Sequence, residues 1–199
     1  MANWASTAYT IEGPKKILKK IYDAIQHPDT SEGDTGWEGG VLKALGITWK
    51  ERQPDGSGYY MRGFIQDPEC IEFDPKTNDI LSFYAEEAWG ITDFYKVLME
   101  NFLDIKVYWS VEESGEEIYA TNDKEGKYYR ERFYIDTCIG NNYQSEYFQF
   151  ESSVYKWLSD ITDGKVKSKE DVKAFNDLHE ELVDDDENFI FIHKFEICD

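Results

Sequence analysis

The chain has 199 residues, 41% of them hydrophobic and 16% aromatic, a composition that builds a folded core and excludes a wholly disordered chain. Its 41 acids against 21 Lys and Arg give a formal charge of −20, which repels phosphate backbones and anionic lipid headgroups. Direct nucleic-acid binding and membrane association are therefore not expected. No run approaches the ~20 apolar residues of a membrane span, and no secretory leader is recognised, so cytoplasmic residence is the expectation. Cys70, Cys138 and Cys198 share no metal-type spacing and read as reduced, mostly buried thiols.

Residues 7–12 alternate as a short strand, closed by Gly13-Pro14, and Pro14 is suited to open a helix. Ile17, Leu18, Ile21, Tyr22 and Ile25 follow at helical spacing. Lys15, Lys16, Lys19 and Lys20 take the opposite side, a solvated face or a patch for an anionic partner. After a polar loop over 27–36, Trp37, Val41, Leu42 and Leu45 predict a second short helix stopped by Gly46.

Strands are predicted over 59–66 and 80–85, the second running on into Glu86-Glu87-Ala88-Trp89-Gly90. A helix from about Thr92 turns Phe94, Val97, Leu98 and Phe102 inward. Strands over 105–112, 117–121, 128–136 and 143–150 follow, separated by turn-forming Ser114-Gly115, 123–126 and 140–142. Val154, Trp157, Leu158 and Ile161 mark one late helix. Ser168 and Asp171 form a capping box for another, with Val172, Phe175, Leu178 and Leu182 inward. An acidic run at 184–187 precedes a final strand over 189–197.

Strand, helix in two pieces, strand, strand, helix, strand is the order of a ferredoxin-like split βαβ core. The predicted class is thus α+β: a single domain over 1–199, its core at 5–113, with a meander that extends the same sheet and late helices packed on that sheet over 114–199.

The residues Met1-Ala-Asn-Trp4, Ile11-Glu-Gly13, Leu81-Ser-Phe-Tyr-Ala85, Ala88-Trp89 and Val111-Glu-Glu-Ser-Gly115 resemble the YubB-type family of plasmid- and phage-associated proteins. The resemblance touches 1–13 and about 80–126, and Gly90-Ile91 stands where that family tends to place prolines. It implies a ferredoxin-like domain and a mobile-element origin in bacteria, and no reaction.

No catalytic residues, cofactor or metal site are indicated: there is no Walker sequence, GxGxxG or HExxH, and His179 and His193 read as structural. The candidate binding residues lie where strands end. If strands 80–85 and 105–112 run parallel with the first strand between them, the C-terminal acids Glu86, Glu87, Glu112 and Glu113 share one edge of the sheet. Carboxylates converging there would bind a cation or form an acid–base pair; scattered surface charge is the plainer reading. Trp89, between Ala88 and Gly90, is either a core plug or an aromatic wall. Burial is expected for it, as for Trp4 and Trp157. Tyr119 and Asp123 are placed at the same end.

The composition and the missing catalytic signatures favour a non-catalytic binding protein with a protein partner, a basic one if charge guides it. Two other readings are a DNA mimic or anti-defence protein that meets a basic enzyme, and a carboxylate-based or metal-assisted enzyme. The same charge predicts that added salt stabilises the fold.

Overall fold

The computed structural model describes residues 3–31, 37–181 and 188–198. The acidic run 184–187, Leu182 and the side chain of His179 lie outside the described part. The chain folds as an α+β protein and separates into two compact units, 3–123 and 124–198.

The first unit contains β1 (Trp4–Glu12), α1 (Lys15–Gln26), α2 (Glu38–Ala44), β2 (Gly63–Ile65), β3 (Ile80–Ala88), α3 (Phe94–Asn101), β4 (Lys106–Glu113) and β5 (Ile118–Thr121). Its strands lie in the order β2-β3-β1-β4-β5, every neighbouring pair antiparallel. β3 and β4 therefore run parallel to one another with β1 between them, the split βαβ arrangement.

Local chemistry sets several of these boundaries. The Pro14 carbonyl accepts from Ile17 and Leu18 N–H and opens α1. Gly46, at φ +75°, closes α2 in a Schellman arrangement: its N–H donates to the Lys43 carbonyl and Ile47 N–H to that of Leu42. β2 is shorter than the predicted 59–66 because the residues before it serve the loops instead. Tyr59 exchanges backbone bonds with Lys50 and Arg52, and the Tyr60 carbonyl accepts from Asp93 N–H.

Alternation along the strands assigns the faces. The odd residues Ala5, Thr7, Tyr9, Ile11, Leu81, Phe83, Ala85, Val107, Trp109 and Val111 are buried together with Leu18, Ile21 and Ile25 of α1 and Phe94, Val97 and Leu98 of α3. Tyr9 stacks on Phe83, and Phe94 meets both rings edge-on. Trp109 is the large indole of this core.

The second unit contains β6 (Phe133–Ile139), β7 (Asn142–Phe148), α4 (Glu151–Ile161), α5 (Lys169–Glu181) and β8 (Phe189–Lys194), followed by a short β9 (Glu196–Ile197). The expectation that the meander simply extends the first sheet is corrected here: β5 does so, whereas β6 and β7 build a separate sheet in the order β7-β6-β8. β6 is paired along both edges, so it has no ladder hydrogen bonds left for the first sheet. The late helices likewise cover this second sheet, closing a core of Phe133, Ile135, Val154, Leu158, Val166 and Ile190. Trp157 is half-buried against that core.

The capping box of α5 forms: Asp171 N–H donates to Ser168 Oγ, and the Asp171 carboxylate accepts from Lys167 N–H. Asn176 extends the helix's grip on β8, its amide exchanging bonds with the Ile190 backbone. The strand predicted from 128 begins only at Phe133. Before it, Arg132 gathers the chain into a loop by donating to the Tyr129, Glu131 and Lys124 carbonyls. Cys138 is buried and Cys70 is exposed, so burial of the thiols holds for the first and not for the second.

Candidate functional site

The parallel β3 and β4 do end at one edge of the sheet, with the start of β1 between them, but alternation splits the four acids between opposite faces. Glu86 and Glu112 both register with Ser6, one on each side, on the face turned away from α1 and α3. Two strand spacings put their Cα atoms about 10 Å apart. Glu86 is held by the Gln66 amide, and its partial burial raises its pKa. Glu87 and Glu113 point to the helix side. Glu113 is spent on the β4–β5 turn, accepting from Gly115 N–H at 2.9 Å and Glu116 N–H at 2.6 Å. The four therefore do not converge as one group, because neighbours in a strand cannot share a face.

Tyr119 registers opposite Glu112 and lies at this edge, buried. Asp123 does not. β5 runs antiparallel to β4, so four residues carry the chain about 13 Å toward the other end of the sheet. There Asn122 bonds the Trp109 N–H and the Val107 carbonyl, and buried Asp123 donates its N–H to Thr121 Oγ1.

Trp89 and Trp4 are not core residues. Trp4 is an even residue of β1, 41% exposed on the face turned away from the helices, with its ring edge-on to Phe64 at 5.5 Å. Trp89 is 50% exposed. The chain leaves β3 through a left-handed turn, Trp89 at φ +57° and Gly90 at φ +106°, which swings the indole off the sheet. The Trp89 N–H donates to the Asn3 carbonyl, and the Arg62 guanidinium lies 4.8 Å from the indole centroid. A bulky residue in the left-handed region costs roughly 1–2 kcal/mol, so local contacts must hold this turn against its preference. Tyr84, opposite Ala8 in the register, is exposed on the same face as Trp4. Rings thus stand around a floor of small residues, Ser6 and Ala8, with Glu86 beside it.

The acids that do meet were not all foreseen. Glu87 pairs with Glu38, the first residue of α2, and both are 0% exposed. Thr92 Oγ1 lies 2.8 Å from Glu38 Oε2 and 2.7 Å from Glu87 Oε1. Tyr9 OH and Thr92 N–H also donate to Glu87 Oε1, at 2.7 and 3.1 Å, and Thr7 Oγ1 donates to Oε2.

One Thr hydroxyl carries one hydrogen, so it cannot donate to two carboxylates at once. With the fixed donors converging on Glu87, the shared proton belongs to Glu38, which donates to Thr92 as Thr92 donates to Glu87. Burial and the neighbouring Glu87 charge push the Glu38 carboxyl well above its usual value, and burial with the same charge pushes Tyr9 up as well. Glu38 Oε1 has no hydrogen-bond partner among the described residues. Gly63 permits the packing, since a Cβ there would come within 2.8 Å of Glu38 Cδ and Oε1 and of Glu87 Cγ.

Asp93 sits beside this pair but is differently served. Tyr60 N–H, Arg52 and Lys96 bond its carboxylate at 2.8, 2.6 and 2.6 Å. Partial burial acts against its charge, and these bonds and cations overcome it, holding its pKa below the usual value. A cleft of about 460 Å³ opens beside α2 between Trp37, Lys43, Trp49 and Met61, but neither buried carboxyl lines it.

Chemically, the Glu38–Glu87 pair can exchange a proton through Thr92, and both residues are fully buried. Among the described residues, no group of three or more His, Cys, Asp or Glu is placed to hold a metal ion, and no helix is long and apolar enough to cross a membrane. Glu87 was legible in part, since it continues the inward parity of Leu81, Phe83 and Ala85; nothing in the sequence joins it to Glu38, 49 positions earlier. The chain matches no protein-family model, no curated protein and no solved structure.

Proposed function

We propose that the chain is a non-catalytic binding protein that captures a basic partner protein on the exposed residues of its first sheet's helix-free face and strand-end edge. The observation that carries this reading is Trp89, half exposed, held in a left-handed backbone and stacked with Arg62. An indole kept out of the core at a conformational cost is better explained by recognition than by packing. Trp4, Tyr84 and Glu86 add two exposed rings and a carboxylate on the neighbouring face, and Trp, Tyr and Arg are the residue types that dominate binding energetics. The charge of −20 favours approach of a cationic surface. A mobile-element origin, implied by the YubB-type resemblance, belongs to this proposal and fits a protein that acts by capture.

The test is a display library of basic peptides panned on the full chain, with selected binders titrated by tryptophan fluorescence. Binding that weakens at least tenfold in Trp89→Ala and in Trp4→Ala, while both variants keep the native circular dichroism, supports the reading. Selected peptides that bind both variants like the parent would overturn it.

A further inference from the structure

The face of the second sheet turned away from its helices is of a different kind, with exposed rings around a buried Cys138. The helix side is filled by Phe133, Ile135 and Ile190, so alternation turns the other residues of β6, β7 and β8 outward. The register arranges them in three rows across the strands: Tyr147, Tyr134 and His193; Ser145, Asp136 and Phe191; Tyr143, Cys138 and Phe189.

The six rings touch in unbroken series. Tyr147 and Tyr134 are 4.8 Å apart between centroids, Tyr134 and His193 5.8 Å, His193 and Phe191 6.3 Å, Phe191 and Phe189 4.9 Å, and Phe189 and Tyr143 6.1 Å. This horseshoe surrounds the central row, where Asp136 stands with Ser145 at the open side. Tyr143, Tyr147 and Phe191 are 59%, 43% and 48% exposed, a large apolar display for a three-stranded sheet. Half-buried Asp136 has no ion pair and no side-chain hydrogen bond among the described residues.

A single carboxylate set among aromatic rings selects for a cation. The quadrupole of each Tyr and Phe ring is negative on its face, so these rings and the carboxylate attract the same charge, and the apolar surround strengthens that attraction by lowering the local dielectric. Guanidinium fits better than ammonium. It is planar, stacks on rings, sheds water more readily and meets a carboxylate with two parallel N–H donors. Nucleic acid is disfavoured despite the stacking surface, because a phosphate chain would run over Asp136 on a chain of charge −20. A second copy would bring the same acidic centre against the first.

We infer that this face of the second sheet is a docking surface for an arginine-bearing segment of a partner protein, with the guanidinium set against exposed Phe191 and paired to Asp136. The inference shares with the proposed function the reading of the chain as a binding protein, but it rests on other residues and fails separately.

The probe is a hexa-arginine peptide, with hexa-lysine and hexa-citrulline as controls, titrated into the ¹⁵N-labelled full chain at moderate salt. Resonances of β6, β7 and β8 should shift with hexa-arginine, several-fold less at equal concentration with hexa-lysine, and not with neutral citrulline. Asp136→Asn, an isostere that leaves the rings in place, should weaken the arginine affinity read from the second-sheet resonances at least tenfold, and Phe191→Ala several-fold. The inference is overturned if Asp136→Asn binds as the parent does, if lysine matches arginine, or if the shifts fall only outside the second sheet. Phe191→Ala and Asp136→Asn alter different kinds of contact, so failure of one to fold leaves the other to decide.

Discussion

Glu38→Gln replaces a buried carboxyl that carries the shared proton by an amide of the same shape, and it should flatten the dependence of stability on pH. In the folded chain burial and Glu87 hold the Glu38 carboxyl above its ordinary value, while in the unfolded chain it titrates near ~4.3. The folded state therefore keeps a proton that the unfolded state has released. Stability from this group is greatest below the unfolded value and declines as pH rises toward the folded one. Above that the penalty is constant. Within the window the slope for one proton is about 1.4 kcal/mol per pH unit.

The neighbouring groups set the comparison. Asp93, Asp29, Asp55 and Asp171 are held below their ordinary values, so they contribute stability that is lost in acid, a slope of opposite sign. Only the difference between variant and parent isolates Glu38. Urea unfolding at intervals from pH 4 to pH 8 should show Glu38→Gln gaining on the parent as pH rises. Glu87→Gln should flatten the pH dependence in part as well, since it removes the charge that helps to raise Glu38, while its NH2 would face Thr7 Oγ1 in place of an acceptor, at a cost of about 1–3 kcal/mol. Parallel curves for Glu38→Gln and the parent across this range would refute the shared-proton assignment.

Three further outcomes follow from single positions or from the whole charge. At Trp89, φ +57° makes glycine the better small residue, so Trp89→Gly should be about 1 kcal/mol more stable than Trp89→Ala in urea, the reverse of the order at an ordinary site. Gly63→Ala drives a methyl against Glu38 and Glu87 and should cost about 1–3 kcal/mol, read as a lowered urea midpoint at unchanged slope. Thermal melts from low to moderate sodium chloride should rise, since a net charge of −20 is screened within about 8 Å at physiological ionic strength. A fall would mean that attractive pairs such as Lys96 and Arg52 on Asp93 outweigh the repulsion.

The parts of the fold readable from sequence are those fixed by contacts a few residues apart. Gly46 stops α2 and Ser168 with Asp171 starts α5, because each device is completed within one helical turn. The order of β3, β1 and β4 was readable because helices and turns leave few ways to return a strand. Membership of a sheet was not, for a strand's own residues do not state which edge it joins. Residues 133–148 carry the alternation of an extension to the first sheet, and only pairing with β8, more than 40 positions on, makes them a sheet of their own. Aromatic content misled at 128–132 and 59–62, where rings serve loops held by Arg132 and Asp93.

The candidate site failed in the sequence reading through one step, the treatment of adjacent acids as a group. Along a strand, adjacency means opposite faces, so Glu86-Glu87 and Glu112-Glu113 were always two surface-side acids and two helix-side ones. Applied strictly, alternation would have flagged Glu87 as a carboxylate inside a core and asked what accompanies it. It would also have placed Trp4, one step out of phase with Ala5 and Thr7, on the face away from the helices. The same rule sets Tyr134, Asp136 and Cys138 on one side of β6, but it cannot supply the rings of β7 and β8 that surround Asp136. Parity within a strand is written in the sequence, whereas the neighbours that turn a lone acid into a proton-sharing pair or a cation seat come from register, a property of the folded sheet alone.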